Sequence, residues 1–142
     1  MRGSYALLIQ LPEAQSLNVG SLKAIAFPRG NYAYVGSAMG GFKSRLNRHL
    51  KSDKKPRWHI DYLLDRAFIS GIILAKTGER LECAIAQALN RQFMSVPGFG
   101  CSDCRCRSHL FLASEEMEPV ILATLNRLNI KPESVRVRSR HD

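Results

Sequence analysis

No stretch of this chain approaches the ~20 consecutive apolar residues that a membrane-crossing helix requires. The first residues, MRGSYALLIQLPEAQ, carry one early Arg and an apolar run that ends at Pro12 and Glu13 without a small-residue cleavage pattern. A secretory leader is therefore not expected, and the expected setting is intracellular and cytoplasmic, with no membrane partner. Cysteine is sparse. There are four, Cys83, Cys101, Cys104 and Cys106, and three fall within six residues. In a reducing compartment that clustering points to a metal or a reactive site more than to a disulfide framework. Acidic residues are also scarce, 12 against 21 Lys and Arg, giving a net charge of +9 over 142 residues. A basic balance of this size makes a polyanion the expected partner. Internal repeats and low-complexity tracts are absent. With 45% apolar and 23% charged residues, the composition is that of one folded domain and excludes general disorder.

The pattern predicts an α+β fold with a small, mostly antiparallel sheet of about three to five strands flanked by helices. Residues 4–11 read as a strand stopped by Pro12, and 22–37 as a hairpin turning at Pro28-Arg29-Gly30-Asn31. Phe42, Leu46 and Leu50 mark one stripe of a helix to about Lys51, and 58–64 a second short helix. Residues 67–75 read as a buried strand and Glu79–Phe93 as a helix. A Gly/Cys loop follows over 95–108, then a strand at His109–Leu112. A last helix is expected from Glu118 to Asn129, with Pro119 in its first turn. Residues 1–132 are taken as the domain and 133–142 as a basic tail with an edge strand around Val135 and Val137.

Several chemistry-bearing residues recur in a fixed order. Gly3-Ser4-Tyr5 opens the first strand, and Tyr34-Val35-Gly36-Ser37 closes the hairpin strand. Arg45 follows Gly36 by nine residues and His49 stands one helical turn later. Glu82 follows Arg45 by 37 residues, near a helix start. Singly, each has an ordinary reading: a strand aromatic, a solvated Arg, a helix-start carboxylate. Together they resemble the GIY-YIG endonuclease superfamily. WHIDYLL at 58–64, the Glu82-Cys83 pair and PGFG…SDCRCRSHLF at 97–111 are similar to its Uri-type stand-alone branch. The first motif departs from the superfamily in carrying Ser4, and 28 residues separate Tyr5 from Tyr34, a longer link than usual.

The resemblance implies a metal-dependent endonuclease hydrolysing phosphodiester bonds in nucleic acid, DNA ahead of RNA. Its catalytic set would be Tyr5, Tyr34, Arg45, His49 and Glu82, with Tyr5 as general base. The residue types suit that chemistry. Arg45 offers a planar fork for phosphate oxygens. Glu82 is a hard ligand for one Mg²⁺ or Mn²⁺, and Glu79 is the fallback carboxylate. A phenol with pKa ≈ 10 needs a nearby charge or a relay to act as a base at pH 7. Gly36 and Ser37 would admit a phosphate close to the backbone. Residues 41–60 hold seven basic residues against one acid, so Lys43, Arg48, Lys54, Lys55 and Arg57 join Arg105 and Arg107 as expected nucleic-acid contacts.

Cys101-x₂-Cys104-x-Cys106-x₂-His109 has zinc-ligand types in a compressed spacing. It is either a structural zinc site or a loop beside the cleft that lends His109 and its arginines to phosphates. Cys83, His59, Trp58 and Tyr62 read as core. The competing function is a non-catalytic nucleic-acid-binding module. A lone domain of this size also leaves room for a protein partner that supplies specificity.

Overall fold

The nine residues Gly3–Leu11 form β1, and all but Gln10 are buried. A strand apolar on both sides needs cover on both sides, and the rest of the chain supplies it. In the computed structural model, which describes residues 1–51, 55–101 and 104–137, β1 is followed by β2 (Gln15–Asn18) and β3 (Ala24–Phe27). Then come β4 (Gly30–Ala38), α1 (Phe42–Leu50), α2 (His59–Leu64), β5 (Phe68–Lys76) and α3 (Glu82–Asn90). The chain continues with β6 (Met94–Ser95), β7 (Leu110–Ala113), α4 (Glu118–Arg127) and β8 (Pro132–Arg136).

Six strands make one sheet in the order β6-β7-β4-β1-β5-β8, and each neighbouring pair is antiparallel. This is the α+β arrangement that the pattern predicted. β8 spans the boundary expected at 132/133 and pairs with β5.

The expected hairpin over 22–37 does not form. β3 turns back on β2 as a separate two-stranded ribbon, while β4 pairs with β1 and β7. The cause is a tight turn at 19–23. Gly20 at φ +47° and Lys23 at φ +61° take left-handed conformations, and the Val19 amide donates to the Lys23 carbonyl at 2.8 Å. Val19 and Phe27 then anchor the ribbon in the core.

Strand alternation divides the core in two. Tyr5, Leu7, Ile9 and Leu11 face α1, α2, the ribbon and Phe99. Ala6, Leu8, Ala33, Val35, Ile73 and Ala75 face α3 and α4. A bulge opposite Leu8/Ile9 lets Ile69 and Ile72 of β5 share the first face although they are three residues apart. On α1, Phe42, Leu46 and His49 point inward at helical spacing, so the inward stripe ends on a histidine and Leu50 is exposed. α3 begins at Glu82, three residues later than expected. Glu79 is exposed ahead of it, its amide held by the Thr77 hydroxyl at 3.1 Å.

Candidate active site and metal centre

β7 pairs only with Asn31–Tyr34 of the nine-residue β4. From Val35 onward, that edge of β4 meets His109 instead, which in turn lies beside Glu82 at the start of α3. The Val35 amide donates at 2.9 Å to the carbonyl of His109, the residue through which the loop enters β7.

Tyr5 and Gly36 sit directly opposite each other on β1 and β4. A Cβ on Gly36 would lie 2.4 Å from the Tyr5 hydroxyl oxygen. Gly36 is therefore the space through which the Tyr5 phenol crosses β4, not an opening for a phosphate. Tyr5 is 1% exposed, and its hydroxyl shares a 2.6 Å hydrogen bond with Nε2 of the buried His49. Tyr34, two residues before Gly36, is half-buried and packs edge-on against His49 and Phe99.

Arg45 lies over the Trp58 ring at 4.4 Å, and Arg48 over the same ring at 4.1 Å. Trp58, expected in the core, is half-buried and serves as a plate for both guanidinium groups. Arg48 also donates to Asp61 through both terminal nitrogens, at 2.8 and 2.9 Å. Its fork is thus filled by a carboxylate, and its work is to tie α1 to α2. Burial works to raise the Asp61 pKa, but the bonds from Arg48 and from the Trp58 and Arg57 amides outweigh it and hold the carboxyl below its ordinary value. Asp61 carried no signal in the sequence beyond its place in the first turn of a short helix, where a carboxylate caps free amides.

Burial pushes both phenols well above the ordinary tyrosine value. At Tyr5 the Arg45 guanidinium opposes this, while the charges of Glu82 and Asp61 add to it. At Tyr34 the charges of Tyr5 and Glu82 reinforce burial, and Arg45 again opposes. The charges of Arg45 and Glu82 thus both act on the two phenols, and His49 is hydrogen-bonded to Tyr5. The phenolate, however, is the disfavoured form.

Glu82 opens α3 and is 26% exposed at its side chain, with Oε2 3.9 Å from Nδ1 of the buried His109. Burial lowers the His109 pKa, opposed by the Glu82 charge and by the bond to Val35. His109 Nδ1 lies 3.2 Å from the Val35 carbonyl. A carbonyl only accepts, so Nδ1 carries the proton and Nε2 presents a lone pair. That lone pair faces Sγ of Cys104 at 3.4 Å and Sγ of Cys83 at 4.0 Å.

The ligand atoms of Cys83, Cys104, Cys106 and His109 all lie within 4.8 Å of one another, so these four residues could hold a metal ion. The set differs from the one read along the sequence. Cys83, expected in the core, takes the place of Cys101, whose thiol donates to the Phe99 carbonyl at 3.4 Å. Burial and hydrogen bonds shared with Cys106 and Cys104 push the Cys83 thiol up to about 12.

The remaining expected contacts are spread over the surface. Lys43, Lys55, Arg57, Arg105 and Arg107 are exposed, with Arg57 5.5 Å from the Trp58 ring centre. Ser37 is half-buried on β4 opposite Ser4, and Lys54 lies outside the described residues. His59 is half-buried, and its Nδ1 accepts the Gly100 amide at 2.8 Å. Phe99, which walls the site between Tyr34 and His59, had no signal except the two glycines beside it.

Fold and site together define an α+β domain with a buried Tyr–His pair, a stacked arginine and a Cys₃His group at one open strand edge. The chain belongs to the family described as domain of unknown function DUF123, which matches residues 4–130. No curated protein and no solved structure matches it. Among the described residues no helix is long and apolar enough to cross a membrane.

Proposed function

We propose that this protein is a cytoplasmic, metal-dependent endonuclease of the GIY-YIG type, Uri-like branch, that hydrolyses phosphodiester bonds in nucleic acid, DNA ahead of RNA. The observation that carries the reading is the Tyr5–His49 hydrogen bond with Tyr34 edge-on against the same imidazole; the charges of Arg45 and Glu82, which act on both phenols, support it. Each of these residues supplies something that hydrolysis needs.

Water attacking phosphorus must lose a proton, and the phosphate oxygens must be neutralised. Arg45 is held by its stack on Trp58 beside the Tyr5 hydroxyl, and the planar fork of its guanidinium suits a phosphate oxygen there. Because burial disfavours a phenolate at Tyr5, the hydroxyl works as a relay. It takes a proton as its own passes to His49 Nε2, and no free phenolate accumulates. Tyr34 orients the attacking water. Glu82 keeps partial access to solvent, which suits a hard ion that retains most of its waters. One Mg²⁺ or Mn²⁺ there would supply Lewis acidity when bound. The Cys₃His donors are soft and suit zinc instead. Tetrahedral zinc sets such ligand atoms about 3.6–3.8 Å apart, close to the 3.4 and 4.0 Å between His109 Nε2 and the two thiols. Exposed Lys43, Lys55, Arg57, Arg105 and Arg107 would carry the polyanion, with specificity read from its shape or supplied by a protein partner.

The test is incubation with supercoiled plasmid and a panel of branched DNAs in Mg²⁺, Mn²⁺ or EDTA. Nicking with either metal and none in EDTA is the expected result. Binding without nicking under every condition would favour the alternative, a nucleic-acid-binding module built around the Cys₃His group.

A further inference from the structure

We propose that the Cys83–Cys104–Cys106–His109 centre is a zinc clip that holds the Glu82 carboxylate in position against β4. The existence of the clip is independent of the nuclease reading; its consequence for catalysis rests on that reading.

Three observations carry it. Cys83 directly follows Glu82 in the first turn of α3, so fixing one fixes the backbone of the other. That turn lacks the usual anchor: Leu81 at the N-cap makes no side-chain hydrogen bond. Finally, His109 joins the centre to the strand edge. Its Nδ1–H points at the Val35 carbonyl, between Tyr34 and Gly36, and lies 3.9 Å from Glu82 Oε2. An N–H fixed by a carbonyl and flanked by a carboxylate is how zinc-bound imidazoles are commonly oriented. The two sides of the site, α3 and β4, thus meet through one donor set. Cys83, Cys104, Cys106 and His109 are positioning residues and Glu82 is the group they position.

The experiment compares wild type, Cys83→Ser and Cys101→Ser, purified without added metal. Zinc content, affinity for a fixed DNA duplex, nicking rate and the Mg²⁺ concentration for half-maximal nicking are measured on each. About one zinc per chain is expected in wild type and in Cys101→Ser, and none in Cys83→Ser. Nicking by Cys83→Ser should fall by about 10²-fold, the loss expected from a displacement of about 1 Å at the reacting centre. Its Mg²⁺ requirement should rise while DNA affinity stays unchanged, a split that general unfolding would not produce. Wild type stripped of zinc by a thiol reagent and then reduced should behave like Cys83→Ser, and zinc should restore it.

If zinc is retained in Cys83→Ser and lost in Cys101→Ser, or is absent from wild type, the clip is overturned. Loss of zinc with an unchanged nicking rate and Mg²⁺ requirement overturns the positioning role. Should wild type cut nothing, the nuclease reading fails separately. The clip is then judged by amide hydrogen exchange at residues 82–86, expected to be slower in the zinc-loaded chain; equal exchange in the loaded and stripped chains overturns it.

Discussion

The two faces of the six-stranded sheet are built from different chemistry. The face under α3 and α4 is mostly aliphatic: Ala6, Leu8, Val35, Ile73, Ile85, Leu89, Ile121 and Leu125 fill it, with Phe111 as its one fully buried aromatic ring. The face under α1 and α2 adds several aromatic rings and polar groups to its aliphatic residues. It holds Tyr5, Tyr32, Phe27, Phe42 and Phe99, with Tyr34, Trp58 and Tyr62 packed against them. The buried His49 and Asp61 belong to its covering helices, and the buried His109 sits at the open strand edge beside it. Burying polar groups costs free energy unless they are bonded, and a purely aliphatic core would cost less. Alternation along β1 and β4 therefore separates two tasks. One side of each strand packs under α3 and α4, and the other brings the phenols to His49 and Arg45, the residues of the proposed relay, which Glu82 approaches from the first turn of α3.

Among changes that separate the two faces, Tyr5→Phe has the largest expected effect. It removes the proton relay but leaves the ring against Gly36, so cleavage should fall by about 10²–10⁴-fold. Stability should fall by only about 1–3 kcal/mol, because His49 Nε2 is left without its hydroxyl partner. Urea unfolding beside a nicking assay separates the two quantities.

Ile121→Ala on the other face should do the reverse. Ile121 is fully buried, and the cavity should cost about 2–5 kcal/mol. Turnover of the remaining folded protein should be unaltered. Equal catalytic losses in both variants would abolish the distinction between the faces.

The next effect is smaller. Reversing charge at Lys55 and Arg57, both exposed next to the Trp58 plate, should flatten the slope of log K against log salt. The change should be about 0.9 for each phosphate of duplex DNA that is no longer neutralised. An unchanged slope would put the polyanion along Arg105 and Arg107 instead.

The smallest effect is local and depends on pH. Burial holds the His59 pKa below its ordinary value of 6.5. Its neutral Nδ1 accepts the Gly100 amide, a bond that protonation breaks. Between the folded and unfolded values the unfolded chain binds more protons, so this contribution is complete above 6.5 and is lost as pH falls toward the folded value. One proton limits the slope to about 1.4 kcal/mol per pH unit. Exchange of the Gly100 amide should accelerate over that window, and His59→Gln should remove the dependence.

How much of this the sequence disclosed follows from how local each feature is. β1, β4 and β5 were readable because their apolar runs are continuous, and α1 because Phe42 and Leu46 repeat at helical spacing. The β2–β3 ribbon was misread because Pro28–Asn31 is a strong turn signal, whereas the turn that closes the ribbon depends on Lys23 adopting a conformation its side chain disfavours. The metal set was misread for a similar reason. Cys101, Cys104 and Cys106 are neighbours along the chain, but a fold brings together ligands that sequence separates. Cys83 stands 21 residues before Cys104 and arrives through α3. The Arg48–Asp61 tie joins two helices and leaves no periodic trace. The adjacent Glu82 and Cys83 were the available hint that carboxylate and thiolate chemistry share one turn.

Nicking of supercoiled plasmid in Mg²⁺ by wild type and Glu82→Gln, with DNA affinity measured on the same preparations, tests the assigned chemistry most directly. The substitution removes a carboxylate and little volume. The expected result is nicking by wild type, none by Glu82→Gln, and equal affinity for DNA. Equal nicking by the two proteins would contradict the assignment of Glu82 as the metal-binding carboxylate of a nuclease.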